Sequence, residues 1–421
     1  MIIANTKRVI LHCDMNGFFA SVELLDHPEL KNVPMAVCGD PRNRHGIILA
    51  KNEIAKQHGV KTAETIWQAM KKCPDLQCVP PHMEKYQFYS KKINEIYYRF
   101  TDLVEPFSID ESWLDVTASQ QLFGSGLEIA DNIRNTIKEE LGLTLSVGVS
   151  FNKIFAKLGS EYKKPDATTV ITPDNYHEIL WPLPIEEMFF VGKASAEKLR
   201  KSGIGTIGDL ARAPLSLIVS LLGKHGRMLH EYANGMDDSP VLSHGLQSQN
   251  KSIGNSVTFR RDLLGWTDIS TALIALADKV SERLRKSSLL AGGIRLEIKD
   301  PNFLTISRQR MFPIPVSNAN DLAELAMAIM KDDWSATKPV RLLQLTAIHL
   351  TNPNEEEQLS LFDDQSSSRE KRELMGLAMD EIRGKFGTGA IGFGGVLNSD
   401  IGVSRFSENG NDKDDGQDKE T

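Results

Sequence analysis

The stretch Arg8-Val9-Ile10-Leu11-His12-Cys13-Asp14-Met15-Asn16-Gly17-Phe18-Phe19-Ala20-Ser21-Val22-Glu23 decides how the rest of the chain is read. A short apolar run of β-formers ends on an acidic residue and passes at once into an aromatic pair with helical spacing. A strand therefore delivers the Asp14 carboxylate to its own end. Burying such a group unpaired is costly, so it is solvated, hydrogen-bonded or metal-bound. Taken alone, the stretch reads most simply as an exposed turn aspartate, and its meaning depends on whether another segment supplies partners.

That segment is Glu105-Pro106-Phe107-Ser108-Ile109-Asp110-Glu111-Ser112-Trp113-Leu114-Asp115-Val116. Two adjacent acids interrupt an apolar, strand-like run. In a regular strand Asp110 and Glu111 point to opposite faces, so they reach one site only if the strand begins or kinks there, as Pro106 and Ser108 allow. Three carboxylates without histidine or thiolate suit hard cations with oxygen ligands, Mg²⁺ or Mn²⁺, better than zinc. Two such ions about 3.5–4 Å apart serve in-line phosphoryl displacement. The other reading, open at this point, is that Asp110 caps a turn and Glu111 pairs with a lysine.

Outward from these segments, 421 residues exceed one typical core and suggest two to four domains. Strands and helices alternate through residues 1–165, an α+β pattern. Residues 173–236 are almost wholly helical, 237–250 read as a polar linker, and 251–351 return to strands with two helices, a second α+β region. A further amphipathic helix is expected over 370–386, and the charged tail beyond Phe406 is expected to be disordered.

The net charge of −7 argues at first against a nucleic-acid partner. Its distribution says otherwise. Glu355, Glu356, Glu357, Asp363 and Asp364 carry −5 and residues 407–421 carry −4, so the remainder of the chain stands at +2. Residues 251–351 hold 14 Lys and Arg against 10 Asp and Glu. Lys251, Arg260, Arg261, Arg295, Arg308 and Arg310 lie on or beside expected strands, where alternation could gather them on one face for phosphate contact. Singly, each reads as well as part of a solvated face. Four cysteines form no Cys-x-x-Cys pair, which leaves zinc without a ligand set. No basic leader or long apolar run occurs, so a cytoplasmic protein without membrane contact is expected.

The two acidic segments resemble the signature segments of the Y-family translesion DNA polymerases. The likeness runs in order from about Ile3 to at least Thr351, including Val147-Gly148-Val149-Ser150-Phe151-Asn152-Lys153 and Lys251-Ser252-Ile253-Gly254. The resemblance implies an α+β multidomain right hand. Its palm would span 1–14 and 75–165, its fingers 15–74 and its helical thumb 166–240. A linker over 241–250, an α+β little finger over 251–351 and a C-terminal extension over 352–421 would follow.

It implies catalysis by Asp14, Asp110 and Glu111, which would hold two Mg²⁺ ions with the Met15 carbonyl as a further ligand, Mn²⁺ being an alternative ion. Phe19 matches a steric gate against a ribose 2′-hydroxyl, although simple core packing would also explain it. Phe18, Phe19, Lys56 and Lys164 would bind the nucleotide. Here the chain departs from the family pattern. Asn52-Glu53-Ile54-Ala55-Lys56 replaces the usual Asn-Tyr-x-x-Arg and is closer to the catalytic subunit of DNA polymerase V, so the cation is kept but the arginine fork is lost. As solvated helix lysines, Lys56 and Lys164 would need no function.

Gly203 and Gly205 would let backbone amides of a helical hairpin approach DNA phosphates. Gln358-Leu359-Ser360-Leu361-Phe362, apolar within a polar stretch, resembles a bacterial sliding-clamp motif rather than a buried strand. Expected partners are therefore primer-template DNA, deoxynucleoside triphosphates and the clamp, bound by a monomer. Two alternatives stay open. A nucleotidyl cyclase with a similar palm needs no DNA-binding domains, and a non-catalytic clamp-binding scaffold needs no carboxylates.

Overall fold

The computed structural model describes residues 8–39, 46–243, 250–353, 366–396 and 399–403. The chain divides into two units, Met1–Gln247 and Ser248–Thr421.

In chain order, the first part of the first unit runs β1 (Ile10–Met15), α1 (Phe18–Asp26), β2 (Met35–Cys38), β3 (Ile48–Lys51), α2 (Glu53–Gln57), α3 (Ile66–Lys72), β4 (Gln77–Val79) and α4 (Met83–Tyr97). Then come β5 (Val104–Pro106), β6 (Glu111–Asp115), α5 (Gln120–Phe123), α6 (Gly126–Leu141), β7 (Leu145–Ser150), α7 (Lys153–Tyr162) and β8 (Thr168–Val170). A five-stranded sheet in the order β5-β6-β1-β7-β8 places β1 at its centre, and a separate three-stranded sheet runs β3-β2-β4. Sequence reading missed β4 and β8. Each is three residues long, and neighbouring strands rather than their own pattern define them.

Central β1 is buried along its whole length, with its two faces doing different work. Leu11, Cys13 and Met15 pack with residues of α1, α4 and α6 in one core. Each large aliphatic side chain buried there contributes about 1.5–3 kcal/mol. Ile10, His12 and Asp14 alternate onto the opposite face, which α7 covers. The helix comes this close because residue 148 is glycine. A Cβ at Gly148 would lie 1.9 Å from the Ala156 carbonyl oxygen and 2.5 Å from the Ser160 nitrogen. Helix ends follow local rules: Ser125 and Glu128 form a capping box that starts α6, and Gly142 at φ 67° ends it.

Helices α8 (Tyr176–Ile179), α9 (Lys193–Lys201), α10 (Ile207–Arg212) and α11 (Leu215–Ala233) follow and share a core with α7 through Phe155 and Leu158. Residues 237–242, expected as the start of a free linker, instead pack against this unit. Val241 is buried with Trp113 and Ala156, and Glu105 accepts from the Leu242 amide at 2.8 Å. A polar stretch carried no sign that a single valine would be anchored.

The second unit contains β9 (Ser252–Leu263), α12 (Gly265–Lys286), β10 (Leu290–Lys299), β11 (Thr305–Val316), α13 (Ala319–Asp333), β12 (Val340–Thr351) and α14 (Ser366–Phe386). Its antiparallel sheet runs β11-β10-β12-β9, with α12 and α13 contributing to its core. Val396, Ile401 and Val403 complete the same core, so part of what the sequence suggested as an appended extension is integral to this unit. Among the described residues no helix is long and apolar enough to cross a membrane.

Candidate active site

Asp14 and Glu111 are directly opposed across the antiparallel pair β1 and β6 and project from one face. Glu111 is the first residue of β6, so Asp110 lies just before the strand and escapes its alternation. The Asp110 carbonyl accepts from the Met15 amide at 3.1 Å, and its carboxylate accepts from Ser108 Oγ at 2.7 Å. The condition read from the sequence, that the strand begin at these two acids, is met.

The expectation of a site without histidine is corrected. His12, two residues before Asp14 and fully buried on the same face, brings a ring nitrogen within 4.8 Å of carboxylate oxygens of Asp14 and Glu111. Ser160 Oγ donates to the Lys157 carbonyl at 2.8 Å and therefore accepts from His12 Nδ1, also at 2.8 Å. That bond fixes the tautomer and leaves Nε2 without a hydrogen-bond partner, 3.3 Å from Glu111 Oε2. Period-two alternation back from Asp14 was the signal that could have found His12.

Helix α7 supplies the cations. Lys157 pairs with Glu111, and Lys164, just beyond the helix, lies 2.8 Å from Asp14 and 3.0 Å from Glu161. Burial pushes Asp14 up to about 7 against the pull of Lys164. Burial also raises Asp110, with Glu111 adding to the shift. Burial would raise Glu111 too, but the ion pair with Lys157 outweighs it and the carboxyl is lowered to about 2. His12 is lowered to about 4, chiefly by burial. Four carboxylates thus crowd two ammonium groups and a neutral imidazole. Hard oxygen donors in net negative excess fit a divalent cation of the magnesium type.

At the start of α1, Gly17 takes φ 52°, and no side chain caps the helix. The first-turn amides of Phe18 and Phe19 thus receive no side-chain cap from Gly17, at the end of a helix that favours negative charge. Half-buried Phe19 stacks on Tyr86, with ring centroids 4.2 Å apart and planes 11° apart. Lys56 is exposed on α2 and pairs with Glu53 at 3.4 Å. Lys51, which sequence reading missed, lies close enough for the charge of Lys56 to help lower its pKa, although burial is the larger cause. Asn52 is structural: its Oδ1 accepts from the amides of Ala55 and Met35 and its Nδ2 donates to the Val33 carbonyl.

Two expectations about DNA contacts need correction. The hairpin amides are already used, since Gly203 donates to the Arg200 carbonyl at 3.0 Å and Gly205 to Asp209 Oδ2 at 3.2 Å. The basic residues of the second unit do not share one face. Arg295 stands opposite Gln309 and Thr346, whereas Arg308 and Arg310 stand opposite the buried Leu296 and Ile294. Arg308 and Arg310 pair there with Asp333 and Asp332. Arg261 is held by Asp268 and Asp400, while Lys251 and Arg260 are exposed. A one-residue difference in register reverses a side chain's face, and sequence alone did not fix the register. Residues 358–362 lie outside the described residues.

The impB/mucB/samB family model matches residues 13–161, and the model of that family's C-terminal domain matches 250–361. The chain is 45% identical over 400 residues to DNA polymerase IV of Acetivibrio thermocellus, covering 95% of this chain and all of that protein. It is 38% identical over 395 residues to DNA polymerase IV of Clostridium kluyveri, covering 93% and 98%. Among solved structures, a Y-family DNA polymerase chimera matches with a TM-score of 0.73 at 25% identity, over 82% of this chain and 99% of the chimera.

Proposed function

The chain belongs to the Y-family DNA polymerases, and from that premise we propose that Asp14, Asp110 and Glu111 form the metal-holding catalytic centre. As a member it is a template-directed, metal-dependent DNA polymerase of the translesion type, with DNA and deoxynucleoside triphosphates as substrates. The primer 3′-hydroxyl attacks the α-phosphate of the incoming nucleotide, and pyrophosphate leaves. The observation that carries the assignment of the centre is the directly opposed pair of buried Asp14 and partly exposed Glu111, with Asp110 alongside.

Two Mg²⁺ ions are proposed, with Mn²⁺ able to substitute, and the Met15 carbonyl is a further ligand. When bound, they stabilise charge on the attacking and leaving oxygens. The chain's own groups prepare the rest. Lys157 aims Glu111, and the amides of Phe18 and Phe19 face the triphosphate. Lys164 and Lys56, with Lys51, supply its countercharge. Phe19 excludes the ribose 2′-hydroxyl. For DNA, Arg295 on the open face of the second sheet is the strongest of the basic candidates, with Lys251 and Arg260 assisting.

The domain limits proposed follow the resemblance, palm 1–14 and 75–165, fingers 15–74, thumb 166–240, linker 241–250, little finger 251–351 and extension 352–421, except that Val241 and Leu242 are counted with the first unit and Val396, Ile401 and Val403 with the little finger's core. The enzyme is proposed to act as a cytoplasmic monomer and to reach a sliding clamp through Gln358-Leu359-Ser360-Leu361-Phe362. Primer extension tests the centre. Asp110→Ala and Glu111→Ala are each expected to lose at least roughly 100-fold in rate, since each removes a group fixed at the reacting charge. Wild-type extension by either variant overturns the assignment.

A further inference from the structure

Behind Phe19 lies a polar cluster that the polymerase reaction does not itself use. Glu23 follows Phe19 by four residues, one turn along α1, and is fully buried. A buried carboxylate persists only with donors around it. Here Tyr86 donates its hydroxyl to Glu23 Oε1, and His82 Nδ1 lies 2.9 Å and 3.0 Å from the two carboxylate oxygens. The His82 amide in turn donates to the Tyr86 hydroxyl at 3.1 Å. That hydroxyl thus both accepts and donates, so the in-plane position of the Tyr86 ring is set at its polar end.

The other end of this cluster is the aromatic stack. The ring of Tyr86 is fully buried and lies parallel to Phe19 at 4.2 Å. Phe18 holds both from the side, at 5.8 Å from Phe19 and 6.3 Å from Tyr86. Phe19 rests on a plate whose position is fixed from behind. Exclusion by contact depends steeply on distance, so a small retreat of that plate opens room for one oxygen atom.

We propose that Glu23, His82 and Tyr86 are positioning residues for sugar selection, acting through the ring of Phe19. This rests on the reading of Phe19 as the gate. Simple anchoring of α4 to α1 would also bury these residues, but it would leave sugar discrimination unchanged.

The test measures kcat and KM for ribonucleotide and deoxynucleotide insertion by the full chain. Tyr86→Phe and Glu23→Gln keep ring and volume while removing the charged hydrogen bond, and His82→Ala removes a donor at the partly exposed rim. Each is expected to raise the ribonucleotide preference roughly 5- to 20-fold, within what a sub-ångström misplacement costs, while deoxynucleotide kcat/KM stays within about twofold. Phe19→Ala is expected to raise it further, and adding Glu23→Gln to Phe19→Ala should change nothing more.

If Phe19→Ala leaves sugar selection unchanged, the gate reading fails and this inference with it. If Phe19→Ala relaxes selection while all three network variants keep the wild-type preference, only the positioning role is overturned. An additive effect in the double variant overturns it equally. Should Glu23→Gln fold poorly, His82→Ala and Tyr86→Phe decide the matter.

Discussion

At the scale of single residues, burial and ion pairing shift two neighbouring carboxylates in opposite directions. Burial raises Asp14 to about 7, while the ion pair with Lys157 holds Glu111 down at about 2. Lys157 therefore does two things: it aims Glu111, and it offsets negative charge that a divalent ion would otherwise meet. Lys157→Gln should lower kcat by about tenfold through misplacement of Glu111, yet lower the Mg²⁺ concentration needed for half-maximal extension. A metal titration of primer extension reads both, and a variant needing more Mg²⁺ would contradict this account. Asp14, Asp110 and Glu111 were readable in the sequence as candidates because acids inside apolar runs demand partners. His12 and Lys157 were not found. A buried histidine looks like core, and Lys157 comes from a helix far along the chain with no local mark of its target.

Among elements, the contact between β7 and α7 is the tightest constraint on the site. Its glycine is set by space: a Cβ at Gly148 meets the Ala156 carbonyl at 1.9 Å. Gly148→Ala must push α7 away from the sheet, costing about 1–3 kcal/mol as overpacking usually does. Urea unfolding should show that loss. Extension activity should fall further than stability alone explains, because Lys157, Ser160 and Glu161 ride on the same helix. The helix and the strand were each legible from periodicity, but their crossing was not. The second sheet gives the same lesson in a different form. Its strands were readable, whereas their register decided that Arg295 and the pair Arg308 and Arg310 face opposite ways.

For the molecule as a whole, α14 and residues 399–403 belong to the second unit's fold. Arg383 is 2% exposed and makes two hydrogen bonds to Asp278, at 3.0 Å and 2.8 Å, while Arg285 pairs with Asp380. Arg383→Ala leaves a buried carboxylate without this partner and should cost about 3–5 kcal/mol, visible in thermal unfolding of the full chain. The amphipathic pattern of 370–386 made this helix legible, but nothing in it identified Asp278 on α12 as the partner. Deleting residues 358–362 should abolish sliding-clamp pull-down while leaving distributive synthesis intact, and retained pull-down would refute the tether. The docking of α14 also bears on that tether. Strand β12 ends at Thr351 and α14 begins at Ser366, so fourteen residues separate two elements of one unit. The proposed clamp motif at 358–362 thus lies between two elements of one unit in the chain. At about 3.5 Å per extended residue, chain length alone limits its distance from those elements to about 25 Å. A clamp bound through the proposed motif would therefore stay beside the second unit, and a single cut between 352 and 357 would release one end without removing the motif.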